Sequence, residues 1–238
     1  MSNDAKPTHG ARHAVVTGSS SGIGRAIAEA LLDAGWRVTG LDVAPPAIVH
    51  ALFLPVAVNL ADGDAIGRAA ASLPPADALV HAAGVLRVWP LGQLDHAGGE
   101  LMWRLHVDAA ARLADVIVPA MAQRGTGRVV FIGSRVAQGM AGRGQYAATK
   151  AALIALARSW AAEVAGQGVT VNVVSPAATA TGMLSDPARA GSAPRLPPIG
   201  RLIDPAEIAA LVGFLLSPSA AAITGQDIAI CGGSSLAR

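Results

Sequence analysis

Short apolar runs alternate with longer alanine- and leucine-rich stretches along the chain from His13 onward. The short runs predict strands and the longer stretches predict helices. The predicted strands are His13–Thr17, Arg37–Leu41, Phe53–Val58, Ala78–His81, Arg128–Ile132, Thr170–Val174 and Asp227–Ile230. The predicted helices are Gly22–Ala34, Gly63–Ala71, Ala97–Gln123, Gln145–Ala165 and Pro205–Leu216. This repeated strand–helix order predicts an α/β fold with a doubly wound, seven-stranded parallel sheet flanked by helices.

The same pattern predicts a single domain over residues 13–238, because no fixed-period repeat and no dividing linker interrupts it. Residues 1–12 are polar, and we expect them to form a flexible tail. Leu184–Gly200 contains four prolines and no periodicity. We expect this stretch to be a mobile loop over a site rather than part of the core.

Composition narrows the class of protein. With 52% hydrophobic and 14% charged residues among 238, the chain can bury a full-sized core and does not resemble a disordered protein. No apolar stretch matches the roughly 20 residues of a bilayer span, and the N-terminus lacks a secretion-signal pattern, so we expect no membrane association. A single cysteine, Cys231, excludes an intrachain disulfide and favours the cytoplasm. The net charge of +2 without a basic run argues against nucleic acid, and the absence of HExxH and CxxC argues against a metal site.

A glycine-rich turn, TGSSSGIG at 17–24, follows the first predicted strand and leads into the first predicted helix. Glycines at 18, 22 and 24 allow a tight turn and let a pyrophosphate approach the helix N-terminus. Asp42 ends the second strand 18 residues after Gly24. A carboxylate there accepts hydrogen bonds from both adenosine ribose hydroxyls and repels a 2′-phosphate, which favours NAD over NADP. The alternatives are an ordinary strand-to-helix connection and a solubilising charge at a strand end.

The chain's only tyrosine, Tyr146, lies four residues before Lys150 in an alanine-rich helical segment. This spacing places both side chains on one helix face. A phenol with a pKa near 10 is only about 0.1% ionised at neutral pH, but a nearby ammonium favours the phenolate and makes proton exchange with an alcohol or carbonyl possible. Ser134 ends the preceding strand and can hydrogen-bond the same oxygen. The alternative is a surface aromatic beside a solvated charge.

Taken together, these motifs resemble the short-chain dehydrogenase/reductase family, which binds NAD(P)(H) in a Rossmann-type fold. The resemblance covers about residues 13–236 and includes HAAG at 81–84, PAATAT at 176–181 and ITGQDIAICGG at 223–233. It implies that Tyr146 is the general acid/base, that Lys150 lowers its pKa and holds the nicotinamide ribose, and that Ser134 positions the substrate oxygen. The cofactor contacts it implies are Gly18, Ser20, Ser21, Gly22, Ile23, Gly24, Asp42, Asn59, Leu60, Ala82, Gly84, Tyr146, Lys150, Pro176, Thr179 and Thr181.

The chain departs from the family pattern at several positions. His106 stands where the family usually places a catalytic asparagine, and His81 stands where an asparagine is also common. His106 is either a member of the proton relay or a packed polar residue of the helix. The resemblance also implies a homo-oligomer, a tetramer or dimer assembled through the Tyr146 helix and the last strand.

Substrate residues are the least constrained by the sequence. Arg87 and Arg143 are candidates for binding a carboxylate, and Trp89 for an apolar wall of the pocket. Segments such as AAGVLR also resemble dihydrodiol dehydrogenases that act on cyclic carboxylated diols. The sequence therefore predicts an NAD-dependent oxidoreductase of a small secondary alcohol or ketone. The alternative function is a dinucleotide-binding regulator with little or no turnover. For Arg87 and Arg143 the alternative is an ordinary exposed arginine, and for Trp89 it is a core position.

Overall fold

A computed structural model of the protein describes residues 11–185 and 195–236. Its strands are β1 (His13–Thr17), β2 (Arg37–Asp42), β3 (Phe53–Ala57), β4 (Ala78–His81), β5 (Gly127–Ile132), β6 (Val169–Pro176) and β7 (Asp227–Ile230). They pair in parallel in the order β3-β2-β1-β4-β5-β6-β7. The predicted seven-stranded parallel sheet is confirmed, and each strand ends within two residues of its predicted limits.

Helices cover both faces of this sheet. They are α1 (Gly22–Asp33), α2 (Gly63–Ala71), α3 (His96–Trp103), α4 (Ala109–Gln123), α5 (Gly144–Val164) and α6 (Pro205–Leu215). Ile27 of α1 and Ile208 of α6 belong to the core on one face, and Leu113 of α4 and Leu153 of α5 to the core on the other. Successive strand residues alternate between the two cores because side chains of a strand point to opposite faces. This arrangement confirms the doubly wound Rossmann-type fold.

The predicted continuous helix over 97–123 is wrong in one respect. Arg104–Asp108 is π-helical and separates α3 from α4. A π turn accommodates an extra residue without breaking the helix, and apolar periodicity does not reveal such an insertion. The π-helical segment carries His106, which is fully buried.

The strand order reverses between β1 and β4, so the connections that leave these two strands diverge to opposite sides. In open parallel sheets, ligands bind in the crevice that this divergence creates at the carboxyl ends of the strands. Residues 1–10 of the predicted tail and 186–194 of the predicted mobile loop lie outside the described residues. Within the part of the chain that the structure covers, no helix has the length and apolar character needed to traverse a bilayer.

Candidate active site

A cleft of about 860 Å³ opens at the carboxyl ends of the strands around this reversal. Most of the predicted site residues line it, although they come from distant parts of the chain. They are Gly18, Ser21, Gly22, Ile23, Gly24, Asp42, Asn59, Leu60, Ala82, Gly84, Ser134, Arg143, Tyr146, Lys150, Pro176, Thr179 and Thr181. Of the other candidates, Ser20 and His106 contact lining residues without forming the wall, and Arg87 and Trp89 lie outside it.

The glycine turn after β1 is shaped to admit a ligand close to the backbone. Gly18 has a left-handed φ of 69°, and a Cβ there would lie 2.9 Å from the Cα of Ala83. A Cβ on Gly24 would overlap the carbonyl oxygen of Gly18, so the third glycine lets α1 start directly against the turn. Ser21, the N-cap of α1, makes no side-chain cap hydrogen bond, which leaves the first-turn N–H groups facing the cleft. These residues fit a dinucleotide pyrophosphate.

Asp42 is held rigidly at the end of β2. Its carboxylate accepts hydrogen bonds from the backbone N–H of Ser20 at 2.9 Å and of Ala44 at 2.9 Å. One bond comes from the glycine turn and the other from the chain that follows β2. The carboxylate is therefore oriented before any ligand arrives, and its remaining lone pairs are available to hydroxyl donors in the cleft.

Tyr146, Lys150 and Ser134 are buried together at the floor of the cleft, with exposures of 8%, 4% and 8%. The Lys150 ammonium donates to the carbonyl of Ile132 at 2.8 Å and lies 5.8 Å from the centroid of the Tyr146 ring. The Ser134 hydroxyl accepts from the N–H of Val136 at 3.2 Å, which fixes its oxygen at the end of β5. The three side chains that the sequence grouped thus line one cleft together.

Burial lowers the pKa of Lys150 to about 7. Removing an ammonium from water disfavours its charged form, and the carbonyl of Ile132 offsets only part of that cost. In the protein without a dinucleotide, Lys150 is thus divided between ammonium and amine near neutral pH. Acidification of Tyr146 by a permanent ammonium, which the sequence suggested, therefore requires further groups that favour the charged form of Lys150.

His106 is held in a chain of hydrogen bonds that ends at the Tyr146 carbonyl of α5. Its Nε2 accepts from the N–H of Val85 at 3.0 Å, so the ring proton must be on Nδ1. Nδ1–H then donates to the Thr149 hydroxyl at 2.8 Å, which in turn donates to the carbonyl of Tyr146 at 2.8 Å. Burial, with Lys150 nearby, keeps the pKa of His106 well below its usual range. The geometry therefore favours a neutral positioning residue over a member of the proton relay.

The second unexpected histidine, His81, has a similar structural role. The Thr17 hydroxyl accepts from the N–H groups of Ala82 and Ala83, both at 3.0 Å, so its own proton goes to Nδ1 of His81 at 3.0 Å. Nε2–H of His81 then donates to the carbonyl of Leu105 at 3.1 Å. Burial lowers the pKa of His81 to about 3, so the ring is neutral. This histidine joins β1 and β4 to the π-helical segment.

Of the three predicted substrate residues, only Arg143 lines the cleft. The Arg87 guanidinium donates to the carbonyl of Leu86 and lies outside the wall. Trp89 is also not part of the wall, because its indole packs against Gly98 of α3, where a Cβ would overlap the ring. Arg135 and Arg195, which the sequence analysis did not single out as substrate residues, also line the cleft. Arg135 directly follows Ser134 in the sequence, and this position could have indicated that it lies near the site.

Comparison with known proteins assigns the family. The family profile described as enoyl-(acyl carrier protein) reductase matches residues 18–235. The chain is 37% identical over 234 residues to the 3-oxoacyl-[acyl-carrier-protein] reductase FabG of Escherichia coli K12, covering 92% of this chain and 96% of that protein. A solved short chain dehydrogenase/reductase family protein superposes with a TM-score of 0.88 at 34% identity, covering 95% and 98% of the two chains. The chain belongs to the short-chain dehydrogenase/reductase family.

Two further members bear on substrate and cofactor. The 2,3-dihydro-2,3-dihydroxybenzoate dehydrogenase of Escherichia coli K12 is 36% identical over 238 residues, covering 93% of this chain and 96% of that protein. An actinorhodin polyketide ketoreductase solved with NADPH superposes with a TM-score of 0.85 at 26% identity, covering 94% and 97% of the two chains. The chain is thus an oxidoreductase of keto and alcohol groups in this family. Among residues 11–185 and 195–236, no group of three or more His, Cys, Asp or Glu side chains could hold a metal ion.

Proposed function

We propose that this short-chain dehydrogenase/reductase transfers a hydride between NAD(H) and a secondary alcohol or ketone, with Tyr146 as the general acid/base. The observation that carries the proposal is the joint burial of Tyr146, Lys150 and Ser134 in one cleft with the glycine turn. A nicotinamide dinucleotide bound there supplies hydride chemistry, which no side chain of the protein provides. The relative that acts on a dihydrodihydroxybenzoate makes cyclic and carboxylated alcohols the first substrates to screen.

Each of the three buried groups handles a different part of the proton transfer. Ser134, fixed by the N–H of Val136, donates its hydrogen bond to the substrate oxygen and holds it near the phenol. In the oxidation direction, Tyr146 as phenolate takes the hydroxyl proton while the carbon–hydrogen bond breaks. In the reduction direction, it returns that proton to the oxygen. Lys150 in its charged form stabilises the phenolate, and ribose hydroxyls and phosphate charge in the cleft favour that form.

The preference for NAD rests on Asp42. Its carboxylate is fixed by the N–H groups of Ser20 and Ala44 and faces the cleft at the end of β2. A fixed carboxylate accepts from two ribose hydroxyls and opposes a 2′-phosphate. The ketoreductase neighbour was solved with NADPH. We propose that Asp42 gives this chain the opposite preference.

The remaining cofactor contacts follow the course of the cleft. The adenosine end is bordered by Asn59, whose side-chain oxygen accepts from the N–H of Ala61 at 3.0 Å, and by Leu60. Thr179 and Thr181 follow β6, and the Thr181 side chain lies beside Gly22 of the glycine turn. We propose that these residues, with Ala82, Gly84 and Pro176, enclose the dinucleotide.

We further propose a cytoplasmic homo-oligomer, a tetramer or dimer. The family resemblance implies assembly through α5, which carries Tyr146, and through the last strand, β7. Sedimentation velocity of the purified protein measures the assembly, and a monomer at micromolar concentration contradicts it.

Two measurements on the purified protein test the function. Titration of NADH and NADPH, followed by fluorescence, measures cofactor binding. A panel of cyclic alcohols and ketones, with and without carboxylates, is then followed by NADH absorbance. We expect NADH to bind more tightly than NADPH and at least one panel member to turn over. Binding of NADH without turnover of any member favours the alternative regulator, and no binding of either cofactor contradicts both functions.

A further inference from the structure

Charge is segregated along the cleft. Asp42 lies at the end of β2, and it is the only acidic residue among the described residues that form the wall. Arg135, Arg143 and Arg195 line the same cleft. Arg135 follows β5, which is three strands away from β2 in the sheet and hence roughly 14 Å away at the usual strand spacing. The cleft is thus acidic at the end proposed for adenosine and cationic at the end near the catalytic residues.

The arginines are placed by the catalytic elements themselves. Arg135 directly follows Ser134 and begins the short 3₁₀ helix Arg135–Gln138. Arg143 is the N-cap of α5 and lies three residues before Tyr146, about one helical turn away on the same side. Arg195 enters the cleft from the segment after β6. Arg135 and Arg143 are therefore close to the catalytic residues along the chain, and all three arginines line the same cleft.

The rest of the wall at this end is apolar. Val85, Leu86, Val136, Met140, Met183 and Leu184 line the cleft around the catalytic residues. Apolar walls exclude water and strengthen the attraction between a guanidinium and an anion. The wall is complementary to an apolar body that carries a negative charge. A guanidinium also binds a carboxylate through two parallel hydrogen bonds, which orients the substrate as well as attracting it.

We propose that Arg135, Arg143 and Arg195 form an anion subsite that selects alcohols and ketones carrying a carboxylate near the reacting carbon. This inference rests on the proposed function and adds the substrate class to it. It also transfers the carboxylate-binding role from Arg87 to residues that line the cleft. A phosphate on a longer carrier arm offers the same anionic chemistry, and the test separates these two sources.

The test measures binding with benzoate and its uncharged counterpart benzamide, titrated calorimetrically into the protein saturated with NADH. We expect benzoate to bind about tenfold more tightly than benzamide, and its affinity to fall as ionic strength rises from about 0.02 to 0.3 M. Arg143→Met and Arg135→Met should each weaken benzoate about tenfold while leaving benzamide within about twofold. Arg68→Met removes an exposed arginine of α2 outside the cleft, serves as the matched control and should change neither affinity.

A catalytic readout accompanies the binding experiment. Reduction of 3-oxocyclohexane-1-carboxylate is compared with that of its methyl ester, which removes the charge and adds one methyl group. The parent should prefer the acid in kcat/KM by about tenfold, and the two arginine variants should lose that preference through KM. A thioester on a phosphopantetheine arm, reduced better than the free acid and equally affected by the variants, would assign the subsite to phosphate and contradict selection of a carboxylate.

The outcomes separate this inference from the proposed function. Equal binding of benzoate and benzamide, or an equal loss of acid and ester turnover in the variants, overturns the anion subsite while the oxidoreductase stands. Failure of NADH to bind in the first step contradicts the proposed function itself. A benzoate preference that survives in both Arg143→Met and Arg135→Met also overturns the subsite.

Discussion

Replacing Lys150 with methionine should stabilise the cofactor-free protein while abolishing its activity. The side chain is 4% exposed, and burial lowers its pKa to about 7 from an ordinary value of 10.5. That difference corresponds to about 5 kcal/mol of unfavourable free energy for the charged form in the folded protein. Methionine has a similar length and no charge, so the loss is confined to the hydrogen bond to Ile132, worth about 1 kcal/mol.

The lowered pKa of Lys150 also predicts how the free energy of unfolding changes with pH. Because the folded pKa is lower than the unfolded one, the unfolded chain binds more protons between pH 7 and 10.5. The free energy of unfolding of the parent therefore rises with pH across that window, and below pH 7 this group adds no slope. The advantage of Lys150→Met is greatest at pH 6 and should shrink by about 2 to 3 kcal/mol at pH 9.

Urea unfolding of both proteins at pH 6, 7, 8 and 9, without cofactor, measures the effect. Arg158→Met serves as the control, since it removes an exposed cation from the same helix and should show no such trend. Activity of Lys150→Met should fall about 10²- to 10⁴-fold in kcat/KM. A stability difference that is unchanged between pH 6 and pH 9 would refute the reasoning, because Lys150 would then be fully charged in the folded protein throughout that range.

Three further substitutions test other parts of the site. Asp42→Ala should weaken NADH binding about tenfold and improve NADPH binding, measured by fluorescence titration. His106→Asn should lower kcat/KM about tenfold, because the bonds to Val85 and Thr149 are lost, yet its pH–rate profile should overlay that of the parent since the imidazole is neutral. Gly24→Ala should cost about 1 to 3 kcal/mol in urea unfolding because its Cβ overlaps the Gly18 carbonyl.

Specific outcomes contradict each of them. Unchanged relative affinity for NADH and NADPH in Asp42→Ala would mean that this carboxylate does not select the cofactor. If His106→Asn loses one limb of the pH–rate profile, His106 titrates during turnover and is a member of the proton relay. A Gly24→Ala protein as stable as the parent would show that α1 can shift away from the turn. Gly67→Ala, on the exposed side of α2 where nothing lies within 4 Å of a Cβ, is the control for the last of these.

The sheet was predictable because its inner strands are buried on both faces. Runs such as His13–Thr17 and Ala78–His81 are mostly apolar and buried throughout, and their ends coincide with the structure. The glycine turn and the Tyr146–Lys150 pair could also be identified from the sequence, because their chemistry depends on residue spacing along the chain. Such patterns involve residues close together in the sequence, so one sequence is enough to identify them.

Features that depend on contacts between distant segments were not predictable. The π-helical insertion at Arg104–Asp108 keeps the apolar pattern of a continuous helix. The partners of His106 come from the chain after β4 and from α5, 21 and 43 residues away. Trp89 was a candidate for an apolar wall of the pocket or for the core, and its indole packs against Gly98 of α3 outside the cleft wall. The loop that carries Arg195 was expected to lie over a site, but its sequence did not show that Arg195 itself would line the cleft.

The central claim is that the buried phenol of Tyr146 moves the proton beside a bound dinucleotide. Tyr146→Phe removes only the hydroxyl, and NADH affinity and turnover of the best panel substrate are measured on the same preparation. The account predicts NADH binding within about threefold of the parent and a loss of about 10²- to 10⁴-fold in kcat. Turnover within tenfold of the parent at unchanged cofactor affinity would contradict it.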